Sequence, residues 1–143
     1  MASTMRNGIW VLLMAVLVLG GCGRKEAPQI IHDAQPPRLV GLQHELSGMV
    51  LKLGFELVGN PEGVGFQIDR AEMDSYCKCP GLWRRYLEQL PSPQNIGVPI
   101  TKILKLRTPN VEYVFRVRAV DMTGQLGPWG KIIHATGVDL FDQ

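Results

Sequence analysis

Cysteine is scarce. Cys22, Cys77 and Cys79 are the three in 143 residues, too few to staple a miniprotein together with disulfides. Charge of one sign is missing too: the formal net charge is +2, and a protein that works by neutralising phosphates carries a clear positive excess. Charged residues make up 20% and apolar ones 45%, which excludes a disordered chain. The longest apolar run, Ile9–Leu19, is about half of the roughly 20 residues a spanning helix needs. There is no internal repeat. No G-x-S-x-G surrounds Ser75 or Ser92, so a hydrolase triad has no support. No glycine pattern follows a strand and opens a helix, so nucleotide binding has none either. His32, His44 and His134 are scattered, and no C-x-x-C-H is present for covalent haem. The chain reads as neither an enzyme nor a cofactor carrier, with no small-molecule substrate evident.

What is present begins with a processing segment. Arg6 is the only charged side chain before Arg24, and the apolar run follows it as an h-region. Either Met1 or Met5 serves as a start for this pattern. The run closes with Leu19-Gly20-Gly21-Cys22, which resembles a bacterial lipobox, where small residues admit the peptidase to the bond before cysteine. The resemblance implies a lipoprotein signal peptide over residues 1–21, diacylglycerol on the Cys22 sulfur, and a further acyl chain such as palmitate on the new N-terminus. Several acyl chains, at ~0.8 kcal/mol per buried CH₂, hold a protein to a membrane effectively permanently. The competing reading is ordinary secretion or an uncleaved anchor. Cleavage after Gly21 takes 21 of the 143 residues and leaves 122. Gly23 stands where an aspartate would act as an inner-membrane retention signal in enterobacteria, so the expected location is the outer membrane, facing the periplasm.

Residues 22–35 are polar and read as a lipidated tether, ended by Gln35-Pro36-Pro37 because proline drives its predecessor into extended geometry. From there the pattern is strand, turn, strand. Met49, Leu51, Leu53 and Phe55 alternate with Val50, Lys52, Gly54 and Glu56, the period of a half-buried strand. Gly59–Gly63 is a turn cluster. Phe66 and Ile68 alternate next, and Ile100, Ile103, Leu104 and Leu106 form another apolar stretch. Tyr113, Phe115, Val117 and Ala119 point one way, with Arg116 and Arg118 toward water. A turn at Met122–Gly124 leads to a last strand within Lys131–Thr136. Short strands with regular turn signals predict an all-β sandwich.

The stretch LRTPNVEYVFRVRAVDMTGQLGPWG resembles the last third of a fibronectin type III domain. Leu106, Pro109, Tyr113, Phe115, Arg116, Val117, Ala119, Gly124, Gly127, Pro128 and Trp129 match, and Gly130 replaces the usual serine. Toward the N-terminus the agreement is looser: MVLKLGFE and GFQIDR match with Phe55 in place of tryptophan and Phe66 in place of tyrosine. The resemblance covers residues 36–137, leaving 138–143 as a tail. It implies a single immunoglobulin-like β-sandwich whose Tyr113 is a corner tyrosine, its hydroxyl bonding backbone a few residues upstream. It also assigns Trp129 a structural place in the turn.

The segment Glu72–Val98 is longer than most connections, and long loops tend to carry function. Cys77 and Cys79 within it have three readings: a local disulfide pinning the loop, free or intermolecularly bridged thiols, or metal or redox work. Two thiolates do not complete a zinc site. A C-x-C bridge closes a tight ring and is easier to reduce than a structural disulfide. Tyr76, Trp83, Arg84, Arg85 and Tyr86 are the side-chain types of interface hot spots. Against that, Leu82, Tyr86, Leu87 and Leu90 make one face of a short helix, or of a strand, packed on the sheet. The leading expectation is a non-catalytic, membrane-anchored binding or spacer module with an unidentified envelope protein as partner. The alternative is an accessory lipoprotein of an envelope machine for secretion, pili or electron transfer, with a redox-sensitive C-x-C loop. A weaker one is a glycan-binding module stacking sugars on Trp83 and Tyr86.

Overall fold

The computed structural model describes residues 35–139. The signal segment 1–21, Cys22, the tether up to residue 34 and the last four residues lie outside the described residues. Seven antiparallel strands form two sheets. The first joins β1 (Arg38–Ser47), β2 (Val50–Val58) and β5 (Ile100–Lys105) in the order β1-β2-β5. The second joins β3 (Val64–Glu72), β4 (Arg84–Ser92), β6 (Glu112–Asp121) and β7 (Ile133–Thr136) in the order β4-β3-β6-β7.

The alternating pattern decides which residues meet between the sheets. Leu51, Leu53, Phe55 and Leu57 of β2 face Val64, Phe66 and Ile68 of β3 and Tyr113, Phe115, Val117 and Ala119 of β6, all buried. Each large side chain so placed stabilises the fold by about 1.5–3 kcal/mol as an upper estimate. Phe55 meets Phe66 edge to face, ring centroids 5.0 Å apart, so the phenylalanines standing where tryptophan and tyrosine are usual still fill the centre with aromatic surface. Of the apolar stretch at β5, Leu104 and Leu106 are buried and Ile103 is 67% exposed.

Turns follow from side-chain acceptors. Asn60 Oδ1 accepts the Glu62 amide at 3.1 Å. The buried Asp121 carboxylate accepts the Thr123 and Gln125 amides, each at 2.9 Å, and fixes the turn that leaves β6. Gly65 brings two backbones close: a Cβ there would meet the Gln89 carbonyl oxygen and lie 2.6 Å from Pro91 N.

Two expectations change. The segment 72–98 is not one long loop: its middle is β4, an edge strand paired with β3, followed by a short 3₁₀ turn over Pro93–Asn95. Of its four apolar residues only Tyr86 and Leu87 pack on the core, while Leu82 and Leu90 are 74% and 78% exposed. A register shift between Ile68 and Asp69 inserts one residue in β4, so adjacent Tyr86 and Leu87 both turn inward. The second change concerns Tyr113. It is buried as expected, with the Arg70 guanidinium 5.3 Å over its ring, yet its hydroxyl makes no hydrogen bond among the described residues. Tyr86 supplies the tyrosine hydroxyl bond instead. Its oxygen accepts the Lys105 amide at 3.2 Å and donates toward the Lys105 carbonyl at 3.5 Å, joining the β4 edge of one sheet to the β5 edge of the other.

Candidate functional site

The outer face of the four-stranded sheet concentrates the polar and aromatic groups. In β3 the residues between the core positions are Gln67 and Asp69; in β6 they are Arg116 and Arg118. Register sets Asp69 opposite Arg116 on one side and Arg85 on the other. One row lower, Gln67 stands opposite Arg118 and Glu88. Two transverse rows result, Arg85–Asp69–Arg116 and Glu88–Gln67–Arg118.

Each row is bonded end to end. Arg85 Nε donates to Asp69 Oδ1 at 2.6 Å, and Arg116 Nη2 donates to Oδ2 at 3.1 Å. Arg118 Nε donates to Gln67 Oε1 at 2.9 Å, and Gln67 Nε2 donates to Glu88 Oε1 at 2.7 Å. Arg85 reaches Glu88 at 3.4 Å and ties the rows together. The Asp69 side chain is 9% exposed, a carboxylate retained by two guanidinium donors, as a buried charge requires. Burial pushes the Arg118 guanidinium below its ordinary value; nearby Arg85 adds to this, and Asp69 opposes it.

Two tryptophans roof the arginines. Trp83 enters from the residue before β4, and its ring lies 4.3 Å from the Arg116 guanidinium carbon. Trp129 arrives on the segment before β7, where the Gly127 amide donates to the Ala119 carbonyl and the Gly130 amide to the Val117 carbonyl. That pairing lays the segment along β6 and puts the Trp129 ring 4.0 Å from Arg116 and 4.2 Å from Arg118. The contacts alternate Trp83–Arg116–Trp129–Arg118. Arginine stacks on aromatic faces while its donors stay in plane for carboxylates and amides, and both uses are made at once here. Arg116 and Arg118 therefore point outward, as the alternation predicts, but they are half-buried beneath indole rather than free in water.

The structure divides the five residues singled out from sequence. Trp83 and Arg85 belong to this face. Arg84, opposite Arg70, lies beside a separate cleft. Tyr86 has its ring edge on Phe115, centroids 6.0 Å apart, with Arg70 5.1 Å over it, so its ring serves packing. Tyr76 is 98% exposed in the loop beyond β3. Sequence reasoning missed Gln67, Asp69, Glu88, Arg116 and Arg118 as a group, and left Trp129 as a turn residue. The signal was the polar half of two alternating strands, which names a face only once the strand register is known.

In that loop Asp74 Oδ1 accepts the Tyr76 and Cys77 amides at 2.8 and 3.0 Å. These bonds, the Cys77 amide foremost, and neighbouring Lys78 hold the Asp74 carboxyl below its ordinary 3.8. Cys77 and Cys79 are joined by a disulfide, Cα atoms 5.2 Å apart. Among the described residues no three His, Cys, Asp or Glu side chains converge as a metal site.

Two sheets in the order β1-β2-β5 and β4-β3-β6-β7 define a fibronectin type III-like sandwich. The solved structures agree. A structure described as a myokine superposes with a TM-score of 0.52 at 13% identity, covering 72% of this chain and 98% of that one. The third fibronectin III domain of the human KIAA0343 protein superposes with a TM-score of 0.50 at 13% identity, covering 82% and 94%. At such identity the likeness establishes the fold alone. No protein-family model matches the chain, and no curated protein does.

Proposed function

We propose that the chain is a non-catalytic, lipid-anchored module of the bacterial cell envelope that offers its tryptophan–arginine face to a protein partner. The observation that carries the reading is the ladder itself. Trp and Arg dominate binding energy at interfaces, and here the neighbouring rows hold their side chains in place, so little conformational freedom is lost on association. Fold supports the non-catalytic part, since sandwiches of this kind usually bind or space. The anchor rests on the n-region, h-region and Leu19–Cys22 pattern, with the outer membrane facing the periplasm as its address. An intact mass from the native membrane fraction tests it. The expected value is residues 22–143 plus acyl chains, and a full-length mass without lipid refutes the anchor. For the face, photo-crosslinkers at Trp83 and Arg85 are expected to capture one protein that a crosslinker at Ile103, on the opposite sheet, does not. Equal capture from both sheets refutes the assignment.

The exposed Cys77–Cys79 disulfide favours a second reading, an accessory lipoprotein of an envelope machine whose loop takes part in thiol exchange. Alkylation separates the two. Thiols that react only after reductant fit a pinned loop; thiols in a mixed disulfide with a partner, trapped by acid quench, fit exchange.

A further inference from the structure

A cleft of about 570 Å³ opens at the end of the sandwich where β3 leaves for the disulfide loop. Three arginines line it: Arg70 from β3, Arg84 from β4, and Arg107 from the segment after β5. None of the three has an ion-pair partner among the described residues. Glu72 and Asp74 also line it, leaving one positive charge in excess, and one Asp74 oxygen is already engaged by two loop amides.

Arg70 is the informative member. Its guanidinium lies over both Tyr86 and Tyr113, 5.1 and 5.3 Å from the ring centroids, which holds it against the inner wall of the cleft. Its Nη1 is buried and has no hydrogen-bond partner. That nitrogen is closed off against the tyrosine rings, so an acceptor entering the cleft meets the guanidinium through its other donors, which have no protein partner among the described residues. Arg84 faces Arg70 directly across the β3–β4 pair, so two like charges stand together with no carboxylate between them. On the outer face of the same sheet Asp69 occupies the corresponding position between Arg85 and Arg116. The row through Arg70 runs Arg84–Arg70–Phe115 and contains no acid.

From this the geometry points to an oxyanion site: a carboxylate or phosphate group enters the cleft and accepts from Arg70, with Arg84 and Arg107 closing on it from the mouth. Guanidinium forks match both anions in planar, paired hydrogen bonds. The proposal is independent of the partner face described above.

The test uses the full chain in nonionic detergent, titrated separately with inorganic phosphate and with acetate at constant ionic strength, following the arginine Nε–H resonances. Saturable shifts at Arg70 and Arg84 are expected. Arg84→Gln and Arg107→Gln, both exposed positions, are each expected to weaken binding about tenfold, the loss of one charge-assisted bond. Arg38→Gln, on the far edge, is expected to change nothing. Arg70→Gln should abolish saturation, and the two exposed variants keep the test valid if it unfolds. Saturation by phosphate alone assigns a phosphoryl ligand, by acetate alone a carboxylate, and by both a general oxyanion site. Linear shifts with either anion, or equal weakening by Arg38→Gln, overturn the proposal.

Discussion

Arg116 is the sharpest place to perturb the ladder, because it touches both indoles and the buried Asp69. Arg116→Met keeps much of the stem's packing while removing the guanidinium. Two cation–π contacts at a half-covered site contribute about 0.5–1 kcal/mol each. The Asp69 ion pair, with the arginine side chain 26% exposed, adds about 1 kcal/mol after solvent screening. Asp69 keeps Arg85, so no carboxylate is stranded. The expected loss is about 2–3 kcal/mol, which for a domain of roughly 100 residues lowers Tm by about 10 °C or more. Thermal melts followed by far-UV ellipticity read this directly. A double-mutant cycle with Trp129→Leu isolates the stacking, and its coupling is expected at about 0.5–1 kcal/mol. A Tm shift below about 2 °C, or a cycle that closes within about 0.3 kcal/mol, refutes the ladder as a source of stability.

Tyr86→Phe removes the hydroxyl that joins the sheet edges and is expected to cost about 1 kcal/mol, whereas Tyr113→Phe is nearly neutral; the reverse order in urea melts would restore Tyr113 as the corner tyrosine. Gly65→Ala drives a methyl into the β4 backbone and is expected to cost more than ~2 kcal/mol, seen as early exchange of β4 amides. Asp74 has a carboxyl held below 3.8 in the folded loop, so its contribution is complete above the ordinary carboxylate range and is lost as pH falls through the lower folded value. The Tyr76 and Cys77 amide resonances should therefore titrate together with a midpoint under 3.8, and a midpoint at or above it contradicts the two hydrogen bonds.

Legibility in the sequence followed regularity of pattern. β2 and β6 were readable because Leu51–Leu57 and Tyr113–Ala119 alternate without interruption, each strand having one face in the core. β4 was not, since it carries an extra residue at each of two register shifts: one turns Tyr86 and Leu87 to the same side and the other falls beside exposed Leu90, which together destroy any period. The Trp83–Arg116–Trp129–Arg118 series joins three separated segments, and its partners follow from cross-strand register, a quantity that no local window contains. Cys77 and Cys79 were conspicuous by spacing alone. The arginine cleft was invisible for the opposite reason: Arg70, Arg84 and Arg107 are unremarkable singly and meet only through folding.

The irregularity in β4 also bears on how crowded molecules of this kind avoid one another. An open sheet edge with a straight ladder of free amides invites a second copy to zip onto it. Here one such edge is interrupted by an inserted residue, begins with the paired charges Arg84 and Arg85, and runs into Pro91, which has no amide to offer. The opposite edge of that sheet, β7, is only four residues long. A kink that spoils the pattern for a reader of the sequence thus spoils it equally for a would-be neighbour, leaving little template for strand-by-strand aggregation.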